Sequence, residues 1–265
     1  PENGTFLDRL SASVKEHGAD LGIWADGDGD RIGLIDNHGD RVYSDKIGLL
    51  IARNLAPKFP GKPVCIDVKS TGLYQSDPIL AKHGNKVILV KTGHSYVKEA
   101  VREHDALAWL EKSGHWFFNP PLGRWYDDSL VGTIALLETL DDSEKTLSEM
   151  VGELPKTWNR PSFHLHCDDE IKYEVLDGLI QRVRDDAKDG LTFGWAKFTD
   201  FITINGIRFV LEDKSWGLIR CSSNTPSLVV VVESQTSEAQ LREIVDYIDK
   251  ITQETGKVGE WDQRL

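Results

Sequence analysis

Asp26, Asp28 and Asp30 alternate with Gly27 and Gly29, and Arg31 closes the run. In an extended segment alternate side chains point the same way, so the three carboxylates can converge on one point. The glycines add no bulk and let the backbone bend tightly. Three like charges that close repel one another unless a cation sits among them. An all-oxygen donor set favours a hard ion, Mg²⁺ or Ca²⁺. Two other readings compete. Asp-Gly pairs are common in turns, so the run could be a solvated acidic loop. It could also open an EF-hand, but that loop needs Gly at its sixth position and Glu at its twelfth, where this chain has Arg31 and Asn37. It also needs flanking helices, whereas residues 19–25 and 31–36 read as short strands.

Four further loops sit where strands are expected to end. They are Val68-Lys69-Ser70-Thr71-Gly72, Lys91-Thr92-Gly93-His94-Ser95, Leu110-Glu111-Lys112-Ser113-Gly114-His115 and Arg220-Cys221-Ser222-Ser223-Asn224-Thr225-Pro226. In open α/β sheets ligands bind at the carboxyl ends of strands. Amides, hydroxyls and cations there suit phosphates and sugar hydroxyls. Taken singly, each loop is a weak signal and more often an ordinary structural or solvated turn.

The elements that must position these loops follow from periodicity. Residues 5–17 predict a helix with Thr5 as N-cap and Phe6, Leu10 and Val14 on one face. Asn37 to Asp40 reads as a hairpin turn, and Ser44 as the cap of a helix through about Ala56. Strands at 63–68, 87–90 and 106–110 alternate with helices at 73–83, 96–103 and 129–140, the last capped by Ser129. That alternation predicts an α/β layer with parallel strands. After about residue 155 the pattern changes. A strand at 162–166 and a helix at about 170–185 precede strands at 201–204, 208–211, 217–221 and 228–233, and a helix spans about 237–252. A run of strands flanked by helices predicts an antiparallel α+β domain.

Composition bounds the function classes. The 265 residues suffice for two domains or more, and 40% hydrophobic with 28% charged residues is ordinary for a globular chain. A net charge of −12 argues against a nucleic-acid partner. No apolar run is long enough to span a membrane. Cys65, Cys167 and Cys221 form no metal motif and read as reduced thiols of a cytoplasmic protein. No signal peptide is visible, and the opening Pro1-Glu2-Asn3 without methionine reads as the start of a fragment, a processed chain or a trimmed one.

The order and company of the loops resemble the α-D-phosphohexomutase superfamily, which includes phosphomannomutases and phosphoglucomutases. Asp26 to Arg31 matches its metal loop, Lys91 to Ser95 its Lys-Thr-Gly-His-Ser segment, and Glu111 to His115 its sugar-binding Glu-x-Ser-Gly-His loop. Asp127-Asp128 matches the paired acids before the next helix. Arg220 to Pro226 resembles its phosphate-binding Arg-x-Ser-Asn-Thr-x-Pro loop, either without a gap or with Ser223-Asn224-Thr225 shifted by one. Lys112 stands where the family often has Met or Gln, and would favour a phosphate or face solvent.

The resemblance implies mixed α/β mutase domains followed by the α+β domain: the back half of domain 2 at 1–40, domain 3 at 41–155 and domain 4 at 156–265. It implies phosphoryl exchange between O1 and O6 of a hexose phosphate, with Mg²⁺ held by Asp26, Asp28 and Asp30 and glucose 1,6-bisphosphate as intermediate and activator. Arg31, Lys69, His94 and His115 would serve the transfer step. Lys91, Glu111, Ser113, Arg220, Ser222, Ser223, Asn224 and Thr225 would bind substrate. The phosphoserine loop of the family is absent from these residues and would belong to a domain upstream of residue 1, or to a separate partner. The chain alone would then be inactive. The alternative is a non-catalytic sugar-phosphate-binding protein or one half of a split mutase.

Overall fold

The computed structural model of the chain describes residues 4–124 and 126–262, with the side chains of Thr5 and His94 outside that description. The chain divides into two compact units, 1–155 and 156–265. In the first unit α1 (Gly4–His17) lays Leu7 and Val14 on a small antiparallel meander, β1 (Leu21–Ala25), β2 (Ile32–Asp36) and β3 (Arg41–Val42). Pairing of Ala25 with Ile32 makes residues 26–31 a hairpin connection. Helix α1 already contains Thr5, so Thr5 does not stand ahead of it as a cap. The Asn37 to Asp40 turn forms as expected. Asp36 Oδ1 accepts from the amides of His38 and Asp40, both at 2.9 Å.

Helix α2 (Ser44–Leu55) buries most of its surface against β4 (Val64–Asp67) and its neighbours. Its cap position is Tyr43, not Ser44; Ser44 Oγ instead donates to Ile32 O at 3.1 Å and pins the helix to β2. The single helix expected over 73–83 is broken. A 3₁₀ turn at Gly72–Ser76 ends where Asp77 caps α3 (Pro78–Lys82), because Pro78 cannot continue a helix but suits its first position. Then follow β5 (Val87–Val90), α4 (His94–Glu103), β6 (Ala108–Leu110), β7 (Trp116–Phe118), α5 (Ser129–Asp141) and α6 (Leu147–Gly152). The sheet order is β5-β4-β6-β7, with β7 antiparallel to an otherwise parallel set. The cap of α5 is Asp128, whose Oδ1 accepts from Leu130 and Val131 amides, so Ser129 is its first residue rather than its cap. Leu110, Trp116 and Phe118 pack toward α2, while Trp109 and Phe117 pack toward α4. The sheet is therefore covered on both faces, as parallel sheets require.

The second unit is the expected antiparallel α+β domain. It contains β8 (Trp158–Asn159), β9 (Phe163–His166), α7 (Lys172–Lys188), β10 (Thr192–Phe193), β11 (Ala196–Ile202), β12 (Ile207–Leu211), β13 (Trp216–Cys221), β14 (Ser227–Ser234) and α8 (Glu238–Gln253). The sheet order is β10-β11-β12-β13-β14-β8, with β9 also on β14. Val175, Leu179 and Val183 of α7 share a core with Ile244 and Ile248 of α8 and Phe209, Ile219 and Val230 of the sheet. The strand expected at 201–204 runs over 196–202. A register shift between Phe198 and Asp200 breaks its alternation and hides its first half. All three cysteines are buried free thiols. Among the described residues no helix is long and apolar enough to cross a membrane.

Candidate active and metal site

The hairpin between β1 and β2 brings one carboxylate oxygen each of Asp26, Asp28 and Asp30 within 4.8 Å of one another. The flanking elements are strands, which removes the EF-hand reading. Arg31 folds back over the run. Its amide donates to Asp26 Oδ1 at 3.1 Å and its Nε to Asp26 Oδ2 at 2.5 Å, while Nε lies 3.5 Å from Asp30 Oδ1. Burial works to raise the Asp26 pKa, but these bonds from Arg31 outweigh it and hold the carboxyl below its ordinary value. Asp30 goes the other way. Burial and the charges of Asp26, Asp28 and Asp127 push it up against the pull of His115. Asp30 Oδ1 is buried and accepts no hydrogen bond. Three converging acids, with the Asp30 pKa raised and one of its oxygens buried and unsatisfied, form a site short of positive charge. Its all-oxygen donors fit a hard divalent cation, so the residues pass the test that Mg²⁺ sets.

Two distant segments dock on this hairpin. The 111–115 loop joins β6 to β7 and is closed by Gly114 N to Glu111 O (3.0 Å) and Glu111 N to His115 O (3.1 Å). Ile32 N donates to Gly114 O at 3.2 Å, and Arg31 forms a β-bridge with His115. At the start of α5, Ser129 N donates to Gly29 O at 3.0 Å. His115 Nδ1 lies 2.8 Å from Asp127 Oδ2 and 3.6 Å from Asp30 Oδ2. Burial alone would lower the His115 pKa, but the bond to Asp127 and the charges of Glu111 and Asp30 raise it on balance. The two adjacent acids thus divide their work: Asp127 holds the imidazole and Asp128 caps a helix.

Glu111 is buried, with Oε1 2.6 Å from Lys69 Nζ. Lys69 Nζ also lies 3.4 Å from Asp67 Oδ2. Asp67, at the end of β4, is fully buried and accepts from Ser70 Oγ (2.6 Å) and Thr92 Oγ1 (3.2 Å). A chain of charge therefore runs Asp67–Lys69–Glu111 and reaches the 91–95 loop through Thr92. Asp67 is absent from the sequence-based candidates; the available signal was a carboxylate closing an otherwise apolar strand. Ser113 Oγ is buried beside Glu111, and its hydroxyl helps to hold the Glu111 pKa down. Lys112 does not face solvent: it is buried, with Nζ 5.2 Å from the centre of the Tyr43 ring. Lys91 is exposed and lies 5.2 Å over Tyr96. The backbone of His94 begins α4, and its side chain lies outside the described residues.

In the second unit residues 222–226 connect β13 to β14. Arg220 is buried, its Nη1 donating to Cys221 O at 2.8 Å. Ser222 is the buried hub of the turn. Its Oγ accepts from Asn224 N (3.3 Å), Thr225 N (3.2 Å) and Thr225 Oγ1 (2.8 Å). Ser223, Asn224 and Thr225 form the exposed side.

Three family descriptions match the chain in order. They are phosphoglucomutase/phosphomannomutase α/β/α domain II over residues 1–39, α/β/α domain III over 43–158 and the C-terminal domain over 169–251. The chain is also 36% identical over 248 residues to a phosphomannomutase/phosphoglucomutase of Pseudomonas putida, covering 93% of this chain. It belongs to the phosphoglucomutase/phosphomannomutase family. A phosphoglucomutase of Neisseria meningitidis serogroup A is 34% identical over 242 residues. Among solved structures, a phosphoglucomutase/phosphomannomutase family protein of Burkholderia thailandensis superposes with a TM-score of 0.78 at 29% identity, over 97% of this chain and 52% of that one. The chain spans about half the length of the curated relatives it matches, 49% in both proteins named here. In family terms the three docked segments come from different places: the acid hairpin lies in the stretch matched by domain II, and the 111–115 loop and Asp127 in domain III.

Proposed function

We propose that the chain carries the metal-, sugar- and phosphate-binding parts of a phosphohexomutase. Such an enzyme interconverts hexose 1-phosphate and hexose 6-phosphate through a 1,6-bisphosphate, with glucose 1,6-bisphosphate as activator. One observation carries this reading: the acid hairpin, Arg31, His115 and the Glu111 loop are hydrogen-bonded into one site in the first unit. Asp26, Asp28 and Asp30 would hold Mg²⁺. Bound there, the ion would draw negative charge from a phosphoryl group undergoing transfer. Arg31, already ordered by Asp26, adds a fixed guanidinium beside that path. His115 is held at Nδ1 by Asp127, which leaves Nε2 to exchange a proton with a sugar hydroxyl. Glu111, kept ionised by Lys69, accepts from sugar hydroxyls, and Ser113 Oγ supplies a second polar contact. Lys91 and His94 complete the cationic set of the first unit. Arg220 and residues 222–225 take the non-reacting phosphate in the second.

These 265 residues contain no Thr-Ala-Ser-His-Asn-Pro-like loop to carry the transferable phosphate. The chain alone is therefore expected to bind glucose 1-phosphate in the presence of Mg²⁺ yet show no turnover with catalytic glucose 1,6-bisphosphate. A separate domain bearing a phosphoserine would be its partner. A coupled assay and calorimetry test this together. Turnover above background would remove the need for an outside nucleophile, and no binding at millimolar ligand would remove the sugar-phosphate reading. If binding is present but a phosphoserine-bearing N-terminal half of the Pseudomonas putida relative restores no turnover, the non-catalytic binding reading wins.

The metal assignment has its own test. Asp30→Asn is expected to weaken Mn²⁺ binding, read by electron paramagnetic resonance as a stand-in for Mg²⁺, by at least roughly tenfold. Unchanged affinity would show that Asp30 is not a ligand.

A further inference from the structure

Lys172, the first residue of α7, has no place in the roles above. Its side chain is only 6% exposed. A buried ammonium is costly unless each of its donors is used. Here the ammonium donates to Asp169 Oδ1 at 2.5 Å, to Ser222 O at 2.7 Å and to Thr225 O at 3.4 Å. The bond to Asp169 outweighs burial and keeps the amine protonated above its ordinary range. The backbone of the same residue is tied to the same region, since Cys221 Sγ donates to Lys172 O at 3.3 Å.

The two carbonyls on this ammonium bracket the exposed residues Ser223 and Asn224. A turn that receives an anion must keep its carbonyl oxygens away from the ligand, because their partial negative charge repels it. Nothing in the turn's own bonds to Ser222 Oγ does this. Those bonds fix the amides of Asn224 and Thr225, and Thr225 O accepts from Ser227 N at 2.8 Å, so it is chiefly the Ser222 carbonyl whose direction falls to Lys172.

We propose that Lys172 is the positioning residue of the Arg220–Pro226 loop: it draws the Ser222 carbonyl inward, adds a longer bond to that of Thr225, and so sets the loop's affinity for phosphate without touching the phosphate. This rests on the phosphate-binding reading of that loop. The contacts join α7 to the β13–β14 connection, all inside the second unit.

The test uses the whole chain, ¹⁵N-labelled, with inorganic phosphate as probe. Two quantities are read separately: amide hydrogen exchange at Ser222, Asn224 and Thr225, and the phosphate dissociation constant from the shifts of the same amides. In Lys172→Met the loop amides are expected to lose protection while β12 and β13 keep theirs, and phosphate binding is expected to weaken by roughly tenfold or more. Lys172→Arg, which restores donors and charge, is expected to recover much of both. If Lys172→Met matches the parent chain in protection and affinity, the proposal is overturned. If the parent chain shows no response to phosphate, the phosphate reading fails, and the change in protection alone still decides whether Lys172 positions the loop. Should Lys172→Met not fold, Asp169→Asn removes one of the three partners from an exposed position. A smaller change of the same sign supports the proposal, and no change overturns it.

Discussion

Lys69→Met is expected to destabilise the first unit by about 3–5 kcal/mol, because it strands two buried carboxylates at once. Glu111 and Asp67 are 5% and 0% exposed, and Lys69 is the cation between them. Burial of Glu111 opposes its charge, but the attraction and hydrogen bond of Lys69 hold its pKa below the ordinary 4.5. In the parent chain this contribution is present above the ordinary value and is lost as pH falls through the lower folded one. In Lys69→Met only the Ser113 hydrogen bond and the His115 charge are left to oppose burial, the largest influence on Glu111, and its folded pKa is expected to rise above 4.5 instead. The deficit should therefore be largest at neutral pH and shrink as pH falls toward that value. Urea unfolding across pH measures this, with native-state hydrogen exchange at β4 and β6 assigning the loss to the first unit. A loss under about 1 kcal/mol at pH 7, in the range of an ordinary exposed pair, would show that the trio is not acting as a buried ion pair.

Gly114→Ala is expected to separate the 111–115 loop from the acid hairpin. Gly114 has φ +95°, a region that side chains rarely enter, and a Cβ there would lie 2.4 Å from Ile32 O. That oxygen is backbone and cannot swing aside, so the loop must lift from β2 and break the Ile32 N to Gly114 O bond. The strain costs about 1–3 kcal/mol before the lost contacts are counted. A displacement near 1 Å between the metal acids and His115 would lower transfer rate in an assembled enzyme by about a hundredfold. In the chain alone the readout is weakened binding of glucose 1-phosphate together with lowered stability of the first unit. Gly27→Ala is the control, since a Cβ there meets nothing within 4 Å. Equal behaviour of the two variants would show that the close approach at Gly114 does not hold the site together.

The local features of both units could be read from the chain because they depend on neighbours in sequence. The acid run converges because it is a hairpin connection between two short strands. The helices α7 and α8 and the strands β12 to β14 follow from apolar spacing, since one face of each must be buried. The misplaced caps are a finer version of the same problem. Tyr43 and Asp128 take the cap positions because Ser44 Oγ is drawn to Ile32 O and the Asp128 carboxylate reaches the first free amides of α5. The strand β7 is only three residues long and α6 only six, too short for periodicity to show.

By itself the sequence determined the chemistry on offer: three carboxylates in one turn, a guanidinium beside them, a Glu-x-Ser-Gly-His loop and a serine- and threonine-rich turn after a strand. Their types and spacing are properties of short segments, and short segments keep them wherever the chain goes. Tertiary structure decided which groups meet. Lys69 reaches Glu111 across 42 positions and Lys172 reaches Ser222 across 50. Asp67, Tyr43 and Asp127 acquire their partners only when β4, α2 and α5 pack around the same sheet end. The physical reason is burial. In water each of these charges would be solvated and indifferent to the others. Packing removes the water, so a carboxylate must find a cation and a lysine must spend every donor, and those pairings fix the geometry of the site.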